Sequence, residues 1–307
     1  MSGQVRGEGV VQVVGEGVGE GASAADRRSA LLQRVLPKQA LTVAAGRLAS
    51  RRAGALTTWG IDRFVARYRV DMAEAAEPDT ARYPTFNEFF TRALRPGARP
   101  LAEADWICPV DGAISQFGAI DGDRIFQAKG HDYTVRALLG GDPALAEAFT
   151  GGHFATLYLS PRDYHRIHMP AAGRLRRMIH VPGDLYSVNP ATARSVPGLF
   201  ARNERVVCVF EGEAPDARPF AVVLVGATIV GSMATPWHGV VNPPRPGRVR
   251  EWRYDDRVLQ LAQGEEMGRF LLGSTVVMLM PPGALAFNPA WRPGGPIRLG
   301  EAMAQRA

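Results

Sequence analysis

Ser274 follows Gly273 at the mouth of an apolar run, Thr275 to Met280, and that pairing of residue types is the first place in this 307-residue chain where chemistry could begin. With no side chain on the preceding residue, the serine hydroxyl can turn back onto the glycine carbonyl with little steric resistance. A hydroxyl needs a base. His165 and His168, in Tyr164-His165-Arg166-Ile167-His168, supply imidazoles whose ordinary pKa suits proton transfer near neutrality. Zinc would need a third protein ligand, and no HExxH or cysteine partner accompanies the pair, so a metal site is not favoured. Asp111, in Pro109-Val110-Asp111-Gly112, offers an orienting carboxylate, although an Asp-Gly pair taken alone is more often only a tight turn.

Ser274, His168 and Asp111 thus present a nucleophile, a base and a carboxylate. Such a set has two very different uses. In a serine hydrolase the hydroxyl attacks a substrate; in a self-processing enzyme it attacks its own backbone. The GxSxG elbow of an α/β-hydrolase is absent around Ser274, and the chain order Asp, His, Ser is compatible with both.

The elements that must position these groups divide the chain. Residues 1–28, rich in Gly, Val, Glu and Ala, read as a flexible extension, and Glu8, Glu16 and Glu20 interrupt what would have to be the apolar core of a signal peptide. Residues 29–100 read as helical. Ile61, Phe64, Val65 and Tyr68 fall at i, i+3, i+4 and i+7, with Arg63, Arg67 and Arg69 on the other faces, the pattern of a basic amphipathic helix that packs on the protein or lies in a lipid interface. Phe86, Phe89, Phe90 and Leu94 predict a further apolar helical stripe, ending near Pro96. Residues 101–307 change to strand patterns: Phe154 to Leu159, Val206 to Phe210, Phe220 to Val225 and Thr275 to Met280. The expected class is α+β, N-terminal amphipathic helices followed by a mostly antiparallel, β-rich catalytic body.

Composition narrows the partners. The formal charge is +6 and almost all of the positive charge is arginine, only Lys38 and Lys129 being lysines. That balance suits an anionic partner; no zinc-finger spacing, helix-turn-helix signal or aromatic RNA-binding motif supports nucleic acid, which leaves an anionic membrane surface or a solvated arginine-rich surface without a partner. The longest apolar stretch, Phe220 to Val230, is strand-length and holds Gly226 and Thr228, so any membrane contact is expected to be peripheral. Cys108 and Cys208 lie far apart without CxxC spacing and indicate neither a disulfide framework nor a thiolate metal site.

Several blocks, in order along the chain, resemble proteobacterial phosphatidylserine decarboxylases, the membrane-associated kind whose maturation makes a pyruvoyl group. They are Phe86-Asn-Glu-Phe-Phe-Thr-Arg92, Pro109-Val-Asp-Gly112, Lys129-Gly130 followed by Tyr133, Tyr164-His-Arg-Ile-His-Met-Pro170, Ser187-Val-Asn189, Leu199-Phe-Ala-Arg-Asn-Glu-Arg205, Gly226-Ala-Thr-Ile-Val-Gly231 and Leu272-Gly-Ser-Thr275. The resemblance spans about residues 30 to 285 and far exceeds the specificity of any single motif. It implies that Asp111, His168 and Ser274 form the self-cleavage triad and that Gly273–Ser274 is the scissile bond. Cleavage would give a β chain of residues 1–273 and an α chain of residues 274–307, which stay associated, and would convert Ser274 into a covalent pyruvoyl cofactor. That group would form a Schiff base with phosphatidylserine, release CO2 and give phosphatidylethanolamine, with His165 as the acid/base group of decarboxylation. The resemblance also implies a peripheral place on the cytoplasmic side of the inner membrane and a possible homo-oligomer. The hydrolase with an intact Ser274 is the alternative, and a non-catalytic lipid-binding module a further one.

Overall fold

A computed structural model describes residues 38–306 apart from 129, 214–216, 229–231, 243–244, 246 and 272–274. The extension 1–28, Lys129 and the Gly273–Ser274 pair therefore lie outside the described residues.

The apolar runs become the middle of a nine-stranded antiparallel sheet. Its strands lie in the order Arg250–Arg253, Gly173–Val181, Arg205–Gly212, Pro219–Val225, Thr275–Met280, His153–Tyr158, Gly112–Ala119 and Pro296–Ile297, and Gln260–Leu261 pairs with the far end of Gly173–Val181. Every residue of Thr275–Met280 is buried, because both faces of the sheet are covered. Val276, Met278 and Met280 enter one core with Cys208, Phe210 and Leu224, while Val277 and Leu279 enter a second with Val209, Val223 and Phe149. Two-sided burial is why these strands read as continuous apolar runs rather than alternations. Cys108 and Cys208 are free thiols buried in the first core, where burial pushes their pKa up.

The N-terminal part folds as helices Lys38–Ala49, Ala55–Tyr68 and Phe86–Phe90. The stripe of Ala55–Tyr68 does not face outward. Ile61 is fully buried, and the Phe64 ring meets Phe86 at 5.1 Å, Phe89 at 5.9 Å and Phe90 at 6.0 Å in edge-on contacts. Aromatic pairs in this geometry add about 1 kcal/mol each beyond their burial. Phe86–Phe90 starts with a capping box, Thr85 accepting from the Glu88 N–H and Glu88 from the Thr85 N–H. It is shorter than its apolar stripe predicts: the Thr91 hydroxyl donates to the Asn87 carbonyl, after which the Ala76 and Arg95 N–H groups tie 93–95 to 74–76 in extended pairing, so Leu94 lies opposite Ala75. The observed class is α+β with mostly antiparallel sheets, as the sequence leads one to expect.

Candidate active site

Asp111 sits where the chain enters Gly112–Ala119, and its neighbour must be glycine: a Cβ at Gly112 would lie 2.2 Å from the Tyr158 carbonyl oxygen. The glycine of the Asp-Gly pair thus serves a close approach of two backbones, a role that the sequence reading did not raise. The Asp111 carboxylate is almost wholly buried and fully engaged. Arg99 forks onto it, Nε to Oδ1 at 3.0 Å and Nη2 to Oδ2 at 2.6 Å, and the Leu299 N–H donates to Oδ1 at 2.9 Å. Arg99 Nη2 also reaches Glu74 Oε2 at 2.6 Å, and Arg298 closes the far side of Glu74 at 3.2 Å. The hydrogen bond from Arg99 holds Glu74 below the usual carboxylate range, and the hydrogen bond to Asp111 pushes the Arg99 guanidinium up.

His168 ends the short strand Arg166–His168, which pairs with Glu266–Phe270. Its N–H is held by the Pro109 carbonyl at 2.9 Å, two residues from Asp111. Its ring is held by other partners. Nδ1 lies 2.8 Å from the Gly264 carbonyl oxygen, so it carries the proton, and Nε2 accepts from the Tyr164 hydroxyl at 3.0 Å. Burial holds the His168 pKa below its ordinary value, so the ring rests neutral with its lone pair on Nε2. This is the tautomer a base toward Ser274 requires, yet the group that fixes it is a backbone carbonyl. Asp111 and His168 share no hydrogen bond; the Asp111 oxygens are occupied by Arg99 and Leu299.

His165 is fully buried. Its Nδ1–H donates to the Asp163 carbonyl at 2.7 Å, Phe90 covers the ring at 4.1 Å between centroids, and Nε2 has no partner among the described residues. Burial lowers its pKa to about 3. The loop that carries it is fixed by Asp163, whose Oδ2 accepts from both the N–H and the hydroxyl of Ser160 at 2.7 Å.

Gly273 and Ser274 lie outside the described residues, but the chain on either side is anchored. Before them, the Phe270 N–H is bound to the His165 carbonyl at 3.1 Å and the Leu271 N–H to the Ser232 carbonyl at 3.0 Å. After them, Thr275 pairs with Tyr158 on one side and Val225 on the other, and Tyr158 in turn pairs with Ala113. The described residues on the two sides are thus tied, Phe270 to the loop of His165 and Thr275, through Tyr158, to the row beside Asp111-Gly112. Arg99, Tyr164 and Gly264 are the participants that residue types did not single out. Tyr164 lies inside a block already noted, whereas nothing distinguishes Arg99 from the chain's many other arginines or Gly264 from its other glycines. No group of three or more His, Cys, Asp or Glu side chains among the described residues is disposed to hold a metal ion.

Comparisons with known proteins give the family. The family model described as phosphatidylserine decarboxylase matches residues 86–305, and a second, described as PSD, matches residues 29–69. The chain belongs to the phosphatidylserine decarboxylase family. It is 71% identical over 279 residues to the phosphatidylserine decarboxylase proenzyme of Methylibium petroleiphilum, covering 91% of this chain and 98% of that one. It is likewise 69% identical to the proenzyme of that name from Delftia acidovorans, over 92% of this chain and 98% of the relative. For Variovorax paradoxus the identity is 70%, over 92% of this chain and 99% of the relative.

Proposed function

We propose that this chain is the precursor of a phosphatidylserine decarboxylase that cleaves itself between Gly273 and Ser274. The observation that carries the reading is a neutral His168, protonated on Nδ1, on a strand paired with the Glu266–Phe270 strand that leads to the Gly-Ser pair, in a chain about 70% identical to proenzymes of that name. The same name favours self-processing over a hydrolase that keeps its serine. In this reading Tyr164 yields its place at Nε2, His168 takes the Ser274 proton there, and the oxygen attacks the Gly273 carbonyl carbon. The Gly273–Ser274 C–N bond breaks as the amine takes up a proton, leaving an ester. Loss of the Ser274 α-proton expels the Gly273 carboxylate and leaves a dehydroalanine, and water converts its enamine to a ketone with release of ammonia. Asp111 contributes at a distance, as a buried negative charge fixed by Arg99 and Leu299.

The residues present fit a pyruvoyl group at position 274. Among the described residues the buried His165 Nε2 has no partner, and neither has the buried Thr275 hydroxyl next in the chain. When present, the group would supply the carbonyl that takes up the electron pair left on the α-carbon as CO2 departs. His165 rests neutral, so it can deliver a proton only after taking one. The substrate ammonium, which must lose a proton to react, is the source, and the former α-carbon is the destination.

Cleavage leaves the two chains interlocked. Thr275–Met280 belongs to the α chain yet lies in the sheet between Pro219–Val225 and His153–Tyr158, while Leu299 and Arg298 hold Asp111 and Glu74 of the β chain.

No helix among the described residues is long and apolar enough to cross a membrane. We place the enzyme peripherally on the cytoplasmic face of the inner membrane. Ile61 and Phe64 belong to the aromatic cluster; the apolar groups most exposed on these helices are Leu48 at 69%, Leu56 at 66% and Trp59 at 62%, among Arg47, Arg51, Arg52 and Arg63. Leu56→Glu with Trp59→Glu should release the protein from phosphatidylglycerol vesicles; undiminished binding would remove this surface from the reading.

Intact-protein mass spectrometry of wild type beside Ser274→Ala, each exposed to a carbonyl-reactive probe, tests the central claim. Wild type is expected to split at Gly273–Ser274 into a probe-reactive small chain while the variant stays whole. A single unreactive wild-type chain would return the hydrolase to first place.

A further inference from the structure

Arg92 is 5% exposed and poorly satisfied for a buried cation. Its Nη2 donates to the Arg162 carbonyl at 3.2 Å and its guanidinium carbon lies 5.5 Å from the centre of the Phe89 ring, but Nε and Nη1 are buried with no acceptor among the described residues. Three N–H bonds of a permanently charged group are thus left without acceptors among the described residues, an arrangement that is strongly unfavourable for a buried cation. The nearby carboxylates are committed elsewhere: Asp163 to Ser160, Asp111 to Arg99 and Leu299, Glu74 to Arg99 and Arg298. Arg92 sits against the loop of His165, and its charge is one of the influences that oppose protonation of that ring. Two unsatisfied groups, one cationic and one a neutral imidazole nitrogen, therefore share one buried neighbourhood beside the anchored end of the Gly273–Ser274 segment.

We propose that Arg92 is the binding residue for an oxyanion of the substrate head group, received next to His165. The inference rests on the decarboxylase reading above. A serine phospholipid carries two such anions, the carboxylate and the phosphodiester. A guanidinium on the carboxylate would stabilise a charge that must disappear in the transition state, so the phosphodiester is the expected source. Binding it on Arg92 leaves the carboxylate in the apolar surroundings of Phe90 and leaves the His165 Nε2 free to handle the proton.

The test uses the matured enzyme, with phosphatidylserine in mixed micelles as substrate. Wild type is read first: failure to cleave itself or to form phosphatidylethanolamine would sink the functional reading and not this one. Arg92→Gln and Arg92→Lys are then compared for cleavage and probe reactivity. The glutamine variant is expected to mature and to show KM raised by about 10- to 100-fold, with kcat changed far less and partial recovery in the lysine variant. Two soluble competitors separate the anions: glycerophosphoethanolamine keeps the phosphodiester without the carboxylate, and serine the reverse. The competitor whose inhibition Arg92→Gln weakens identifies the anion. Unchanged KM and unchanged inhibition by both would overturn the proposal, as would failure of both variants to mature, which would make Arg92 a structural residue only.

Discussion

The two halves of the site are built by different means. Asp111 belongs to a side-chain network in which charge answers charge: Arg99 joins it to Glu74, and Arg298 joins Glu74 to the C-terminal segment. The imidazole half uses the main chain instead, His165 being set by the Asp163 carbonyl and His168 by the Gly264 carbonyl. A backbone acceptor fixes a tautomer without adding a charge, so both rings stay neutral; burial lowers their pKa values, outweighing the Glu266 and Asp111 carboxylates that act on His168 through space. The carboxylate half is consequently the one that side-chain substitutions can dismantle, and the imidazole half the one that acid can.

Arg99→Ala should give the largest effect, because it strands the buried Asp111 carboxylate. Loss of one partner of such a pair costs about 3–5 kcal/mol. Urea unfolding of the uncleaved Ser274→Ala background, with and without Arg99→Ala, measures it. A change below about 1 kcal/mol, the range of exposed pairs, would mean that the network contributes no more than surface charge does.

Acid should find the other half, more gradually. The His165 pKa falls from 6.5 to about 3 on folding, so between those values the unfolded chain holds a proton that the folded chain refuses. Its contribution is complete above pH 6.5 and is withdrawn as pH drops below that, by about 1.4 kcal/mol per unit at most. His168 shifts in the same direction. Glu74, lowered from 4.5, acts only in a more acid window, so loss of stability between pH 6.5 and 5 reports the histidines. His165→Asn should make the fall in urea midpoints shallower across that interval, His168, His153 and His238 accounting for the remainder; an equally steep fall in the variant would place the acid sensitivity elsewhere.

What the sequence made legible follows the same division. Ser274, His165, His168 and Asp111 could be picked out by type and spacing, and the buried strands by their apolar runs, because those signals are local. The stripe of Ile61, Phe64 and Val65 announced an amphipathic helix but not its partner, since the aromatic cluster of Phe86, Phe89 and Phe90 that covers it meets it only in three dimensions. Asp111 was expected on His168 by analogy with a triad. That Arg99 takes it depends on a side chain twelve residues away in sequence and on the Leu299 N–H from the far end of the chain, which no spacing rule connects. The tautomer of His168 was equally hidden, because a carbonyl acceptor such as that of Gly264 belongs to every residue alike.

Among the described residues Tyr164 is the one side chain that touches the imidazole half at its working atom, and it sets the smallest predicted effect. Its hydroxyl donates to the Nε2 of His168, the position that the Ser274 proton must reach. Tyr164→Phe removes that competitor while keeping the ring that lies 5.6 Å from the imidazole. A neutral hydrogen bond of this kind is worth about 0.5–1.5 kcal/mol. The variant should therefore lose about that much stability, and self-cleavage, followed as disappearance of the intact chain after rapid refolding, should run up to about tenfold faster by the same energy. Slower cleavage would reverse the assignment: the hydroxyl would then help to hold the ring in line or relay the proton, and the imidazole half would depend on a side chain as the carboxylate half does.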